Sequence, residues 1–120
     1  MDRRDPDLDI LLDLNGESFA VDPGGNYTVR FVVIAVPRSP QRPHGLSYSL
    51  TLHDATGGRI VGFDNAHAPP TGTAYGKTVV HDHRHRLGMT RHYEYRDALT
   101  LMADFWAEVD AVLKERGVLP

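Results

Sequence analysis

The chain has 120 residues, of which 41% are hydrophobic and 24% charged, and it contains no cysteine. These values predict one domain over residues 1–120, with a flexible acidic start at residues 1–7. The absence of cysteine excludes disulfides, thiolate nucleophiles and cysteine-based zinc sites. No apolar run approaches the ~18 residues of a transmembrane helix, and the first residues lack the apolar stretch of a signal peptide, so we expect a cytoplasmic protein.

The net charge of −3 is distributed unevenly along the chain. Residues 1–22 contain seven acids and only two arginines, a net charge of −5, which leaves +2 for residues 23–120. A pI near 6.1 argues against nucleic-acid binding, because clustered lysine and arginine drive that binding. The uneven distribution weakens this objection but does not remove it.

The first part of the chain predicts strands that are separated by turns. Residues 9–14 alternate partly in hydrophobicity and are expected to form a half-buried strand. Residues 17–21 are expected to be its return strand after the Asn15-Gly16 turn, because both turn residues tolerate a positive φ. Residues 27–36 are apolar and rich in β-branched side chains, which predicts a central strand covered on both faces for much of its length.

The middle of the chain predicts a hairpin followed by a long loop. Residues 46–52 alternate strictly between apolar and polar side chains, and residues 59–63 are expected to pair with them across a glycine-rich turn. Residues 66–76 contain two prolines and two glycines and cannot form a regular element, and loops of this length are often functional or mobile. A further strand is expected to begin at Thr78 and to continue into the histidines that follow.

The C-terminal segment predicts the clearest helix. Its apolar residues recur at three- and four-residue steps and form one stripe: Leu99, Met102, Phe105, Trp106, Val109, Val112 and Leu113. Asp97 is expected to be the N-cap and Gly117 the left-handed stop. The predicted fold class is therefore α+β, with an antiparallel β-sheet of five or six strands and one long C-terminal α-helix packed on one face.

Residues 81–86 read His-Asp-His-Arg-His-Arg. Residues two apart on a strand point to the same side, so His81, His83 and His85 would share one face. The opposite face would carry Asp82, Arg84 and Arg86. Histidine is the side chain that titrates nearest neutrality, and a row of three therefore favours proton-transfer or metal chemistry.

A second polar cluster follows the predicted strand at residues 59–63. Pairing with the next strand would bring Asp64 and His67 close to the three histidines. A carboxylate that accepts a hydrogen bond from one imidazole nitrogen fixes the tautomer and raises the basicity of the other nitrogen. His44 and Tyr48 could line the same site, with a purely structural role as the alternative for each.

Three hypotheses for this site remain open. In the first, the site cleaves phosphodiesters without a metal: one histidine deprotonates a ribose 2′-hydroxyl and another protonates the leaving 5′-oxygen. Arg84 or Arg86 would neutralise the charge on phosphorus. In the second, His-x-His with Asp64 and His67 binds zinc, nickel or manganese. In the third, the row contacts a partner or a nucleic-acid backbone without any reaction. The arginines disfavour a metal, so we expect no cofactor.

Several motifs resemble the TumE family of toxins from bacterial and archaeal two-gene toxin–antitoxin modules. In chain order they are Arg42-Pro43-His44-Gly45, residues 48–54, residues 62–67, residues 81–85 and Asp104-Phe105-Trp106. The similarity covers about residues 27–116. It implies a type II toxin and a cognate antitoxin encoded beside it, one with a helix-turn-helix DNA-binding domain. It implies no settled set of catalytic residues. It also leaves the oligomeric state open, and a homodimer is one of the options.

Small toxins of such modules most often act on RNA, so the resemblance favours the first hypothesis, an endoribonuclease. The residues expected to be catalytic are His81, His83, His85, Arg84, Arg86 and Asp64. Those expected to contact the RNA substrate are Asn65, His67, Tyr48 and His44. The alternatives are a non-catalytic toxin or regulatory protein that binds a protein or nucleic-acid partner, and a His/Asp metal-binding enzyme. No membrane partner is expected.

Overall fold

A computed structural model describes residues 7–40, 42–65, 82–87 and 89–120. The elements are helix α1 (Leu8–Asp13), strands β1 (Ser18–Ala20), β2 (Thr28–Ala35), β3 (Leu46–His53), β4 (Arg59–Asp64), β5 (His83–Arg86) and β6 (Met89–His92), and helix α2 (Ala98–Glu115). The strands form one antiparallel sheet in the order β1-β2-β3-β4-β5-β6. The predicted α+β fold is confirmed, with six strands and a C-terminal helix.

Three aromatic rings hold α2 against one face of the sheet. The ring of Phe105 on α2 meets Phe31 of β2 at 5.6 Å and Phe63 of β4 at 6.1 Å between centroids, both edge to face. All three side chains are buried. Edge-to-face pairs stabilise beyond the apolar area that they bury, so these contacts fix the helix across the middle strands.

The segment predicted as the first strand is a helix, and that prediction is wrong. In α1 the side chain of Leu11 is fully buried, and Leu8 and Leu12 pack partly buried against the same core. Leucines at three- and four-residue steps form one helical stripe, which the alternating interpretation overlooked. Strand β1 consequently pairs with β2 and not with residues 9–14.

In the part of the chain that the structure describes, strand β2 is covered on one face only, so the prediction of burial on both faces is also wrong. Val29, Phe31 and Val33 are buried, whereas Val32 is 53% and Ile34 47% exposed. The buried residues of both helices belong to the core on the other side of the sheet. The exposed side of the sheet, which we name the open face, is therefore accessible at β2.

Helix α2 begins and ends where the sequence predicts. The carboxylate of Asp97 accepts a hydrogen bond from the backbone N–H of Thr100 at 2.7 Å, and Gly117 has a φ of 72°. The buried stripe is Ala98, Leu101, Phe105, Val109, Val112 and Leu113. Leu99 was predicted to belong to the stripe but is 58% exposed, because Leu101 is the residue in phase with Phe105. None of the described helices has the length and apolar character needed to cross a membrane.

We expect the Asp97→Ala variant to be less stable than the parent at neutral pH and equally stable in acid. The hydrogen bonds from Thr100 lower the pKa of Asp97 below its ordinary value. A carboxyl group with a lowered folded-state pKa stabilises the fold above its unfolded-state pKa, and this contribution is lost as the pH falls through the folded-state pKa. Urea denaturation of both proteins at the two pH values measures the difference. A gap that persists unchanged in acid would contradict the assigned cap.

Candidate functional site

Two rows of side chains cross the open face of the sheet. The first row consists of Val32, Ser49, Asp64, His83 and His92, one from each strand from β2 to β6. The second row consists of Arg30, Thr51, Gly62, His85 and Thr90. Directly opposed residues of an antiparallel pair share a face. The register therefore brings the carboxylate of β4 beside the two histidines of β5.

Asp64 is the centre of this cluster. Its Oδ2 lies 2.8 Å from Nε2 of His85, and its Oδ1 lies 3.7 Å from Nδ1 of His83. The guanidinium of Arg59 lies 3.9 Å from Oδ2. Asp64 is only 8% exposed. A buried carboxylate needs donors or cations to offset the loss of water, and His85 and Arg59 supply both.

His85 has contacts at both ring nitrogens. A carboxylate only accepts hydrogen bonds, so Nε2 carries the proton that faces Asp64. Nδ1 lies 3.0 Å from the hydroxyl oxygen of Thr90 on β6. That hydroxyl can donate to a neutral ring or accept from a protonated one. The two contacts fix the plane of the imidazole and link it to the edge strand.

His83 is the more exposed of the two histidines beside Asp64. Its Nδ1 faces Asp64, its side chain is 26% exposed, and its ring centroid lies 6.2 Å from that of His85. No residue of the described ranges hydrogen-bonds its Nε2. A carboxylate beside one ring nitrogen orients the imidazole and raises the basicity of the other nitrogen.

Three residues of the cluster, Arg59, Gly62 and Thr90, were not identified from the sequence. A Cβ atom at Gly62 would lie 3.3 Å from Cδ of Arg59 and 3.5 Å from Cδ2 of His85. The glycine therefore leaves the space in which the arginine crosses β4 toward Asp64. A glycine inside a strand often marks such a close approach, and this signal could have identified Gly62. No comparable signal marks Arg59, whose position depends on a register shift between Leu52 and His53.

Arg84 and Arg86 point to the side of β5 that faces α2, as the strand alternation predicts. Both guanidinium groups approach the carboxylate of Glu108, at 3.4 and 3.5 Å. Arg86 also forms an ion pair with Glu115. With Leu87, Met89 and Arg91 these residues line a groove of about 310 Å³ between the β5–β6 hairpin and α2. The structure does not bring the two arginines together with His83 and His85.

Tyr48 lies on the core side of the sheet. Its hydroxyl donates a hydrogen bond to Oδ2 of Asp82 at 2.6 Å, and Asp82 is 7% exposed. Burial and this hydrogen bond raise the pKa of Tyr48 far above its ordinary range, so the hydroxyl remains a donor. Because Asp82 directly precedes His83, the bond holds the start of β5 from the side opposite to the histidines.

The side chain of Asn65 extends the hydrogen-bond ladder of β4 by one step. Its Oδ1 accepts from the backbone N–H of Tyr48 at 3.0 Å, and its Nδ2 donates to the carbonyl oxygen of Leu46 at 2.5 Å. The residue is 3% exposed. The amide thus holds the end of β4, and Asp64 with it, against β3. The sequence predicted that Asn65 contacts the substrate. In the structure, both polar atoms of its side chain form hydrogen bonds to the backbone of β3.

The remaining predicted site residues are His44, His67 and His81. The ring of His44 lies 4.5 Å from that of Tyr95, which in turn lies 5.7 Å from Tyr48. The structure therefore groups His44 with these aromatic residues. His67 and His81 lie outside the described residues. Within residues 7–40, 42–65, 82–87 and 89–120, no three histidine, aspartate or glutamate side chains are placed to share a metal ion.

Comparison with known proteins identifies one family. The family model described as Toxin TumE matches residues 14–113, a range that includes all six strands and most of α2. Comparisons with curated proteins and with solved structures give no match. The match confirms the resemblance to this family. The matched range begins at residue 14, whereas the motifs in the sequence indicated similarity only from about residue 27. The chain belongs to the TumE toxin family.

Proposed function

We propose that this toxin is a metal-independent endoribonuclease with Asp64, His83 and His85 as its active site. The observation that supports it best is the shared carboxylate, which lies 2.8 Å from one imidazole and 3.7 Å from the other. Two imidazoles with centroids 6.2 Å apart can reach the attacking and the leaving oxygen of one phosphodiester. General acid–base cleavage needs a base at the attacking oxygen and an acid at the leaving oxygen, and the two imidazoles can supply them.

In the proposed reaction, Nε2 of His83 removes the proton from a ribose 2′-hydroxyl, and the 2′-oxygen attacks the adjacent phosphorus. The bond between phosphorus and the 5′-oxygen breaks, and protonated His85 returns a proton to that oxygen through the hydroxyl of Thr90. The products are a 2′,3′-cyclic phosphate and a 5′-hydroxyl. The protons balance, because His83 gains one and His85 loses one.

Arg59 takes the role that the sequence suggested for Arg84 and Arg86. Arg84 and Arg86 contact the carboxylate of Glu108 on α2, on the opposite side of the sheet. Arg59 lies on the open face beside Asp64, and its side chain is 44% exposed, so it can turn to a phosphate and neutralise charge in the transition state. His81 and His67 retain their predicted roles in proton transfer and substrate contact as proposals from the sequence.

Membership of a toxin family implies an antitoxin partner in general terms. We propose the finer assignment that the family resemblance suggests: the antitoxin is encoded beside the toxin and carries a helix-turn-helix DNA-binding domain. Co-expression of the toxin with each neighbouring small gene, scoring growth and RNA integrity together, tests this assignment. Restored growth with intact RNA for one neighbour is the expected result, and failure of both neighbours would contradict it.

The ribonuclease proposal is tested with untagged toxin and total RNA in excess EDTA. We expect RNA fragments that end in 2′,3′-cyclic phosphate and begin with a 5′-hydroxyl. Activity that chelation abolishes, with stoichiometric metal in elemental analysis, would instead support the metal-binding alternative. Tight binding of RNA or protein without any cleavage product would support the non-catalytic alternative.

A further inference from the structure

In the described strands, the open face carries more arginines than carboxylates, although the chain as a whole carries a net charge of −3. The arginines on this face of the described strands are Arg30 and Arg59, and the histidines of β5 and β6 on the same face are His83, His85 and His92. Asp64 is the one carboxylate that the described strands place there. Glu108 and Glu115 of α2 lie on the opposite side, where they pair with arginines of β5. Two arginines against one carboxylate leave an excess of positive charge on the open face of the described strands, which favours the approach of anions.

An apolar patch lies in the same surface. Val32 and Ile34 are two residues apart on β2 and are about half exposed, at 53% and 47%. They are directly opposite Ser49 and Ser47 of β3. The row of Val32 and Ser49 continues to Asp64. Two aliphatic side chains at this place can pack against the face of a nucleobase, provided that the base is unpaired and free to leave its stack.

We propose that the substrate is single-stranded RNA that lies across the open face, with an unpaired base on Val32 and Ile34. A phosphate near the scissile one binds Arg30. The inference rests on the proposed function for the identity of the substrate. Arg30 lies two strands from β4, roughly 10 Å away, which is about one or two nucleotides along an extended strand. Duplex RNA is recognised mainly by shape and backbone and hides its base faces, so it cannot use the patch.

The test measures binding of fluorescein-labelled 2′-O-methyl RNA, which lacks the attacking hydroxyl and is not cleaved. Single-stranded and duplex forms of one length are titrated by fluorescence anisotropy at several salt concentrations. We expect the single strand to bind at least about tenfold more tightly than the duplex. The Arg30→Gln variant should bind it more weakly, with a salt slope smaller by about one. The Val32→Asp variant should also lose affinity.

The matched control is Arg91→Gln, an exposed arginine in the groove on the α2 side of β6. This variant is expected to bind the single strand like the parent. Equal affinity for single strand and duplex would overturn the inference, as would a larger loss for the Arg91 variant than for the Arg30 variant. Cleavage is measured separately on unmodified RNA. Selective binding without cleavage would refute the ribonuclease and leave the single-strand surface supported.

Discussion

The His83→Gln variant is expected to lose RNA cleavage by a factor of about 10²–10⁴, and growth inhibition with it. His83 is the more exposed imidazole of the cluster, and its Nδ1 lies 3.7 Å from Oδ1 of Asp64. Glutamine is similar in length and polarity but cannot take up a proton near neutral pH. Its side chain can still approach Asp64, so we expect the fold to be retained. Single-turnover cleavage of a defined RNA, with circular dichroism of the same sample, gives both quantities.

The control for this variant is His53→Gln on the same face of the sheet. His53 lies on β3, where its ring nitrogens contact the hydroxyl of Thr51 at 2.9 Å and the carbonyl oxygen of Gly57 at 3.1 Å. It makes no contact with Asp64 or His83 in the described part of the chain. We expect nearly parental cleavage from this variant. Equal losses in both variants, or full activity of His83→Gln, would contradict the assigned active site.

The Asn65→Asp variant is expected to lower the free energy of unfolding by about 2–5 kcal/mol at neutral pH. The substitution keeps the shape but replaces the Nδ2 donor with a carboxylate oxygen. That oxygen would face the carbonyl of Leu46, which the native amide approaches at 2.5 Å, in a position that is 3% exposed. The loss should shrink in acid, because a protonated carboxyl regains one donor. Urea denaturation at the two pH values measures both effects.

An exposed asparagine provides the control for the stability prediction. Asn26 lies in the turn before β2 and is exposed, and Asn26→Asp should change the free energy of unfolding by no more than about 0.5 kcal/mol. A similar small change for Asn65→Asp would show that the side-chain ladder at the end of β4 does not contribute to stability. The cleavage rate of Asn65→Asp should fall as well, because Asp64 precedes the altered residue.

Much of the fold follows from local patterns, and the errors have local causes. The strict alternation over residues 46–52 has one interpretation, and β3 confirms it. Residues 9–14 fit both an alternating and a helical pattern. The choice between them depends on Leu8, which forms one helical stripe with Leu11 and Leu12 and so favours α1. The run at residues 27–36 is apolar enough for burial on both faces, but whether a second layer covers a sheet is a property of the whole chain.

The candidate site was likewise predicted in part from local patterns, whereas the rest depends on contacts between residues far apart in sequence. Alternation along β5 correctly separated His83 and His85 from Arg84 and Arg86, and the expected approach of Asp64 to these histidines is confirmed. The core positions of Tyr48 and Asn65 could not be predicted, because their partners lie 34 residues away at Asp82 and 19 residues away at Leu46. Arg59 and Thr90 reach the cluster only through the pairing of β4 with β3 and of β5 with β6.

By itself the sequence determined which side chains share a face of each strand, since that alternation is a property of the extended backbone. It also determined where α2 begins and ends, because capping depends on residues close in sequence. Only the tertiary structure decided the register that sets Asp64 opposite His83, since hairpin pairing, the shift at Leu52 and the packing of α2 act together. It also decided that Arg30 shares a face with Asp64 and His83, because strand pairing sets residues that are far apart in sequence side by side.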